Sequence, residues 1–456
     1  MHSPIPTRAG RMGLAARADR FFQLGARGTT PAREAIAGCT TFAAMSYIVV
    51  VNPLILAAAG MDRNGLFLAT IVSAMAATLV MALWANLPIA LAPGMGTNIV
   101  FAQVLVGQMG VPWQTGLAMV LLNALVFLLL SLTKWRARIV AAFPEPVKLG
   151  MQCSIGVFIA WLGLRSGGLL VGDAGSLVAF SRLHDGAAWL TLAGILFTAM
   201  LLVRRVPGAF LLTMLAVSAL GLFVADADGR ALTRLPDHWF GVPTFTGDLL
   251  FALDFRGFFS HFMLLLPVTL YFLLIEFFSG TATMFGVIRS AGLLKPNGDL
   301  PSARAAFASD ALGSVIGAAA GTSTVTAFVE SVAGVEAGGR TGLSGVVVAA
   351  LFGLALFFGP LLTAIPACAT APVLVMVGLC MLDGLRDLDT SAPENYLPPL
   401  LMLLVTACCA DLMVALALGC FAYTLMLLAR RRWPGAMVLG LDAVFVLYLV
   451  LRGAIG

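Results

Sequence analysis

Apolar runs dominate the chain, and the polar residues fall mostly between them. Many runs approach the ~20 residues that an α-helix needs to cross the hydrocarbon core of a bilayer. Fourteen stretches qualify, some of them short or broken, at about 36–59, 66–86, 92–109, 112–133, 147–165, 187–203, 207–225, 258–288, 308–320, 322–337, 342–359, 370–385, 397–409 and 411–429. The pattern predicts an all-α polytopic membrane protein of about fourteen transmembrane segments. A further apolar run, Trp433 to Leu451, is interrupted by Asp442 and reads equally as a fifteenth span, a re-entrant segment or an interfacial helix.

Composition excludes a soluble domain. Of 456 residues 60% are hydrophobic and 11% charged, against about 25% charged in soluble chains; mean hydropathy is +0.99. The net charge of +5 is distributed as the positive-inside rule requires, not as a nucleic-acid footprint. With the N-terminus in the cytoplasm, the loops after even-numbered spans carry Lys134, Arg136, Arg138 and Lys148, then Arg204 and Arg205, then Arg289, Lys295 and Arg304, then Arg340, then Arg430, Arg431 and Arg432. The loop after span 12 is the exception, with Arg386 outnumbered by Asp383, Asp387, Asp389 and Glu394, but acidic residues contribute little to orientation. Residues 1–34 hold Arg8, Arg11, Arg17, Arg20, Arg27 and Arg33 with no apolar core before Phe21, so they read as a cytoplasmic tail and not as a secretory signal. Neither the seven cysteines nor the four histidines form a ligand cluster or a C-x-x-C pair, so no metal, disulfide or cofactor is expected.

The chain also repeats itself. Two glycine-rich interrupted segments lie about half a chain apart, Ala92-Pro-Gly-Met-Gly-Thr-Asn98 and Ala320-Gly-Thr-Ser-Thr-Val-Thr326. Paired broken segments in corresponding halves point to a binding site at the repeat interface. Seven spans per half is odd, so the halves have inverted topology: 35–225 is the first repeat, 226–257 an extracytoplasmic loop, 258–430 the second repeat, and 431–456 a basic stop plus the last hydrophobic segment.

Carboxylates inside apolar runs are costly, at least ~2.5–3.5 kcal/mol at a helix centre, and are functional candidates for that reason. Glu330 is one. If span 10 is a helix, Ser323, Thr326 and Glu330 fall on one face of it, at i, i+3 and i+7. Span 8 carries a second stripe of Glu276, Ser279, Gly280 and Thr283. A carboxylate accepts from the ring N–H groups of a purine or pyrimidine, and either glutamate could also carry a proton. Phe277, Phe278 or Phe328 could stack on a base, although phenylalanine in a membrane helix is more often plain packing. Asn98 can donate and accept, which suits a heterocycle edge, but beside Pro93, Gly94 and Gly96 it reads equally as a turn residue. Asp310 at the start of span 9 fits an N-cap as well as a function, Asp411 a cap or a vestibule, and Arg340 a cytoplasmic loop.

These segments together identify a resemblance. The chain resembles the AzgA-like purine permeases, a branch of the nucleobase–cation symporter 2 superfamily, from Phe21 to about Arg432. The matching motifs are Gly28-Thr-Thr-Pro-Ala-Arg-Glu34, Ala37-Gly-Cys-Thr-Thr-Phe42, Met45-Ser-Tyr-Ile-Val-Val-Val-Asn-Pro53, Ala92-Pro-Gly-Met-Gly-Thr-Asn98, Gly321-Thr-Ser-Thr-Val-Thr326, Glu330-Ser331, Gly338-Gly-Arg-Thr-Gly-Leu343 and Ile365-Pro-Ala-Cys-Ala-Thr-Ala-Pro372. The resemblance implies two inverted seven-helix repeats, with spans 1–4 and 8–11 forming a core and spans 5–7 and 12–14 a gate. It implies proton-coupled uptake of adenine, guanine or hypoxanthine across the inner membrane. By motif position, Gly96 and Asn98 match the family's span 3 site residues, Glu330 its span 10 base-binding glutamate and Glu276 its first span 8 acid. One departure bears on coupling: where the family carries a second acid three residues on, linked there to proton symport, this chain has Ser279. The alternatives are a uniporter, or a permease for another heterocycle or a small anion on the same fold. A membrane enzyme ranks far below, for want of a nucleophile with its base, a metal cluster or a cofactor loop. Whether the protein is a homodimer is left open.

Overall fold

A computed structural model describes residues 19–133, 144–173, 177–180, 185–225, 230–236, 238–241, 247–295 and 300–455. The basic residues Arg8, Arg11, Arg17, Lys134, Arg136 and Arg138, with His2 and His184, lie outside them.

Each of the fourteen expected stretches occurs as an element. Pro31–Met45 (α1) and Ile48–Ala57 (α2) together form one apolar span. Arg63–Val80 (α3) follows, ending in a wide π-turn. The third stretch is broken: Leu91–Pro93 (β1) is extended, and Met95–Ile99 (α4) continues into π-helical turns over Val100–Gln108. Trp113–Leu132 (α5), Glu145–Ser166 (α6), Gly186–Val203 (α7) and Ala209–Gly221 (α8) complete the first half, with a small hairpin of Leu170–Asp173 (β2) and Leu177–Phe180 (β3) between α6 and α7. The second half opens with Phe255–Ser260 (α9), Phe262–Ser290 (α10) and Ala303–Ala320 (α11). Val325–Ala327 (β4) and Ser331–Glu336 (α12) form its broken stretch. Gly342–Ala355 (α13), Gly359–Thr363 (α14), Ala367–Cys380 (α15), Pro393–Cys409 (α16) and Leu412–Ala429 (α17) follow. Among the described residues nine helices are long and apolar enough to cross a membrane. The run after Arg432 is helical too, Ala436–Ile455 (α18), and packs on both α10 and α17.

Local chemistry sets several of these boundaries. Thr30 caps α1, accepting from Arg33 N–H with Pro31 in the first turn, and Asp62 caps α3, accepting from Gly65 N–H at 2.6 Å. Asp411 is the N-cap of α17, accepting from Val414 N–H at 3.1 Å, so its cap reading holds. Such caps contribute about 1 kcal/mol each. Asp310 is not a cap: it lies inside α11, about two turns beyond the true start at Ala303. The apolar run is longer than the hydropathy break suggested, because Ala303, Ala305 and Ala306 carry the helix past Arg304.

The helices form two groups. Helices α1–α5 and α10–α13 pack among themselves, as do α6–α8 with α15–α17. These are the expected core and gate. In the core the two halves interlock where the sequence motifs meet: buried Glu34 accepts from the backbone N–H groups of Arg340 (2.8 Å), Thr341 (3.3 Å) and Ser344 (3.2 Å). Arg340 itself donates from Nη1 to the carbonyls of Val335 and Gly339, both at 2.7 Å, and so is a fixed corner of the core. In the gate, α6 and α15 approach through glycines. A Cβ at Gly378 would stand 2.4 Å from the Gly156 carbonyl oxygen. Small residues permit such backbone approach where lipid supplies no hydrophobic drive. Gly378→Ala should therefore lower the melting temperature of the purified protein, destabilising it by about 1–3 kcal/mol; an unchanged melting curve would refute this close contact.

Candidate functional site

Span 10 is not a helix with a polar stripe. Gly321, with φ of +90°, ends α11 in the left-handed region, and Thr322 N–H bonds back to Gly317 O at 2.9 Å. The β-branched run Thr322, Thr324, Val325 and Thr326 then favours extended backbone. Its polar groups find a partner in the matching segment of the other repeat. β1 and β4 pair antiparallel, Leu91 opposite Ala327, Ala92 opposite Thr326 and Pro93 opposite Val325. Gly94 N–H donates to Thr324 O at 2.9 Å, and Phe328 N–H to Ala90 O at 3.0 Å, extending the pairing at both ends. In a membrane interior irregular backbone survives only with such partners. Ser323, Thr326 and Glu330 therefore do not share a helix face: the first two lie on extended chain and Glu330 immediately precedes α12.

Three groups of polar side chains surround this crossing. The first belongs to α10 and α11. Buried Glu276 accepts at Oε1 from the Ser314 hydroxyl at 2.6 Å, while its Oε2 is buried and takes no hydrogen bond. Ser314 Oγ in turn accepts from Val325 N–H at 3.1 Å. One helical turn before Ser314 on α11, Asp310 Oδ1 accepts from Ala327 N–H at 2.9 Å and from the Thr326 hydroxyl at 3.2 Å. Ser314 and Asp310 thus hold the two ends of β4. The other Asp310 oxygen lies against α10, 2.4 Å from where a Cβ on Gly280 would stand. A second carboxylate accordingly lies one turn from Glu276, supplied by α11 and not by position 279.

The second group is at Glu330, which is half-buried and accepts at Oε1 from the Tyr47 hydroxyl at 2.6 Å. Tyr47, between α1 and α2, is fully buried, its ring edge-on to Phe210 of α8 at 5.2 Å. The glutamate is thereby tied through one ring to the gate. The third group is at Asn98, in the helix that follows β1. Its Nδ2 donates to Asn52 Oδ1, while its own Oδ1 is buried without a partner. Thr97 and Thr324 hydroxyls bond across the crossing at 2.5 Å. Gly96 faces the gate, where an added Cβ would meet Ile155 of α6 at 2.7 Å. Ser323 is buried with an unpartnered hydroxyl.

The aromatic candidates are packing residues. Phe277 lies on Phe127 at 5.7 Å between ring centres, Phe278 under the Lys148 ammonium, and Phe328 in the core. The sequence pattern does not single out Tyr47, Asn52 or Ser314, and it leaves Asp310 open between a cap and a function. Tyr47 and Asn52 stand in the Met45–Pro53 motif, and two polar groups in so apolar a run are the signal that was there to find. No group of three or more metal-ligating side chains occurs among the described residues.

Comparison with known proteins agrees with this architecture. A model described as Permease family matches residues 32–430. The guanine/hypoxanthine permease PbuO of Bacillus subtilis is 37% identical over 423 residues, covering 91% of this chain and 95% of that one. The adenine permease AdeQ of Escherichia coli is 36% identical over 434 residues, covering 95% and 96%. Among solved structures, the transmembrane domain of the cyanobacterial bicarbonate transporter BicA superposes with a TM-score of 0.58 at 18% identity, over 83% of this chain and 96% of that one. The anion transporter family member SLC26A9 does so at 0.61 and 11% identity, over 87% and 65%. At such identities the structures speak for the fold alone, which is the inverted-repeat transporter fold. The chain is a multi-pass membrane protein and belongs to the nucleobase–cation symporter 2 family of permeases, in its AzgA-like branch.

Proposed function

We propose that the protein takes up purine nucleobases (adenine, guanine or hypoxanthine) across the inner membrane by proton symport and alternating access, with its N-terminus in the cytoplasm. The observation that carries this reading is the pair of acidic positions flanking one strand crossing, Glu330 on one side and Glu276 with Asp310 on the other. Buried carboxylates are costly in a membrane protein and accept N–H groups from a heterocycle. The full-length relatives named for guanine, hypoxanthine and adenine support the class of substrate. In this reading Glu330 and Asn98 contact the base, with Gly96, Ser323 and Thr326 shaping the site. Glu276 and Asp310 handle the proton, Asp310 filling the place that Ser279 leaves. Binding can drive the core past the gate only through contacts that differ between the two states; Gly96 against Ile155 and Tyr47 against Phe210 are where the site meets the gate.

Uptake of labelled bases tests this in cells stripped of their own purine permeases. At least one base should accumulate against its gradient, and a protonophore should collapse the accumulation. Equilibration that a protonophore leaves untouched would overturn the symport assignment, and failure to take up any purine would overturn the substrate class.

A further inference from the structure

The orientation of one amide in this site is dictated from outside it. Thr70, on α3, donates its hydroxyl proton to the Leu66 carbonyl at 2.6 Å, as a buried helical threonine commonly does. With that proton committed, Thr70 Oγ1 is left an acceptor. It receives Asn52 Nδ2 at 2.7 Å, and Thr322 Oγ1 receives the same amide nitrogen at 3.0 Å. Both protons of the Asn52 amide are then used, so Asn52 must turn its oxygen the other way, toward Asn98. Asn98 can meet an oxygen only with its Nδ2, as it does. What remains is Asn98 Oδ1, buried, unpartnered and beside the broken segment. The four side chains are fully buried, so no solvent exchange relaxes the chain of donors and acceptors.

We propose that Thr70 and Asn52 are positioning residues that fix the Asn98 amide, so that the site presents an acceptor and no donor at this point, selecting bases whose ring edge carries an N–H over those with a lone pair there. This rests on the reading of Asn98 as a base contact. It narrows the substrate class to oxopurines such as hypoxanthine, with N1–H, ahead of adenine, whose N1 carries a lone pair. Thr70 itself touches no substrate.

The test is binding of hypoxanthine and of adenine to the purified full-length protein, read as ligand-dependent thermal stabilisation, in wild type, Thr70→Val and Thr70→Ser. Valine keeps the shape but removes the acceptor, so the Asn52 and Asn98 amides can both turn over. Wild type should bind hypoxanthine more tightly, Thr70→Val should lose about tenfold of that preference, the scale of one buried hydrogen bond, and Thr70→Ser should restore it. If Thr70→Val does not fold, Thr322→Val removes the other acceptor of the same amide and carries the same expectation. A variant that binds both bases more weakly but keeps their ratio would overturn the proposal, as would a wild type that prefers adenine. A wild type that binds neither base would instead sink the purine reading, and this one with it.

Discussion

Glu330→Gln should reduce base uptake at least roughly 100-fold while leaving a folded protein. Glutamine has the volume of glutamate and keeps an oxygen for the Tyr47 hydroxyl, which donates to Oε1 at 2.6 Å. The crossing of β1 and β4 rests on backbone pairs and on Ser314 and Asp310, none of which the substitution touches. What changes is the second oxygen. It becomes an NH₂ group that meets a ring N–H donor against donor, and the charge that strengthens the bond is gone. Hydrogen bonds to charged groups contribute about 1.5–3 kcal/mol, and an unmatched buried donor costs a similar amount. Together these span the 2.7 kcal/mol or so that corresponds to about 100-fold. Uptake of labelled hypoxanthine or adenine, set beside size-exclusion profiles of the same preparations, measures both halves. Transport within about twofold of wild type would remove Glu330 from the site.

Gly280→Ala should abolish transport by a different route. Alanine improves the intrinsic helix propensity of α10 by about 1 kcal/mol, so a loss cannot be laid to the helix itself. Its Cβ would stand 2.4 Å from Asp310 Oδ2 and 3.2 Å from the Thr326 hydroxyl. The first separation is impossible, and the carboxylate is not a free end that can swing aside, because Oδ1 holds Ala327 N–H and Thr326. Either α10 and α11 separate or Asp310 releases β4. Both displace the carboxylate beside Glu276 and the strand leading to Glu330. Overpacking costs about 1–3 kcal/mol, small enough for a folded product. The expected result is normal expression, a modestly lowered melting temperature and uptake at background; full activity would show that Asp310 is not held where the structure places it.

Much of the candidate site is legible in the chain. Glu330, Glu276 and Asn98 stand out as polar groups in apolar runs, and the two glycine-rich segments marked the place where the halves meet. The secondary structure around Glu330 was not. Helical spacing put Ser323, Thr326 and Glu330 on one face, yet spacing has meaning only once the backbone is known to be helical, and Gly321 with four β-branched residues made it extended. Asp310 reads equally as a cap or a functional acid in the chain for a related reason, because the true start of α11 is hidden. Arg304 breaks the apolar run ahead of it, yet Ala303, Ala305 and Ala306 favour helix and carry α11 back to Ala303.

The sequence by itself determined the membrane class, the fourteen segments and the inverted repeat, because these follow from lengths, periods and charge between apolar runs, all of them properties of the chain taken one stretch at a time. Tertiary structure alone decided which polar groups meet. Tyr47 reaches Glu330 across 283 positions, and Thr322 reaches Asn52 across 270. The carboxylate that lies against Gly280 of α10 is that of Asp310, from a different helix. Hydrogen bonds between buried side chains depend on distance and donor direction in space, and neither quantity is written in residue order.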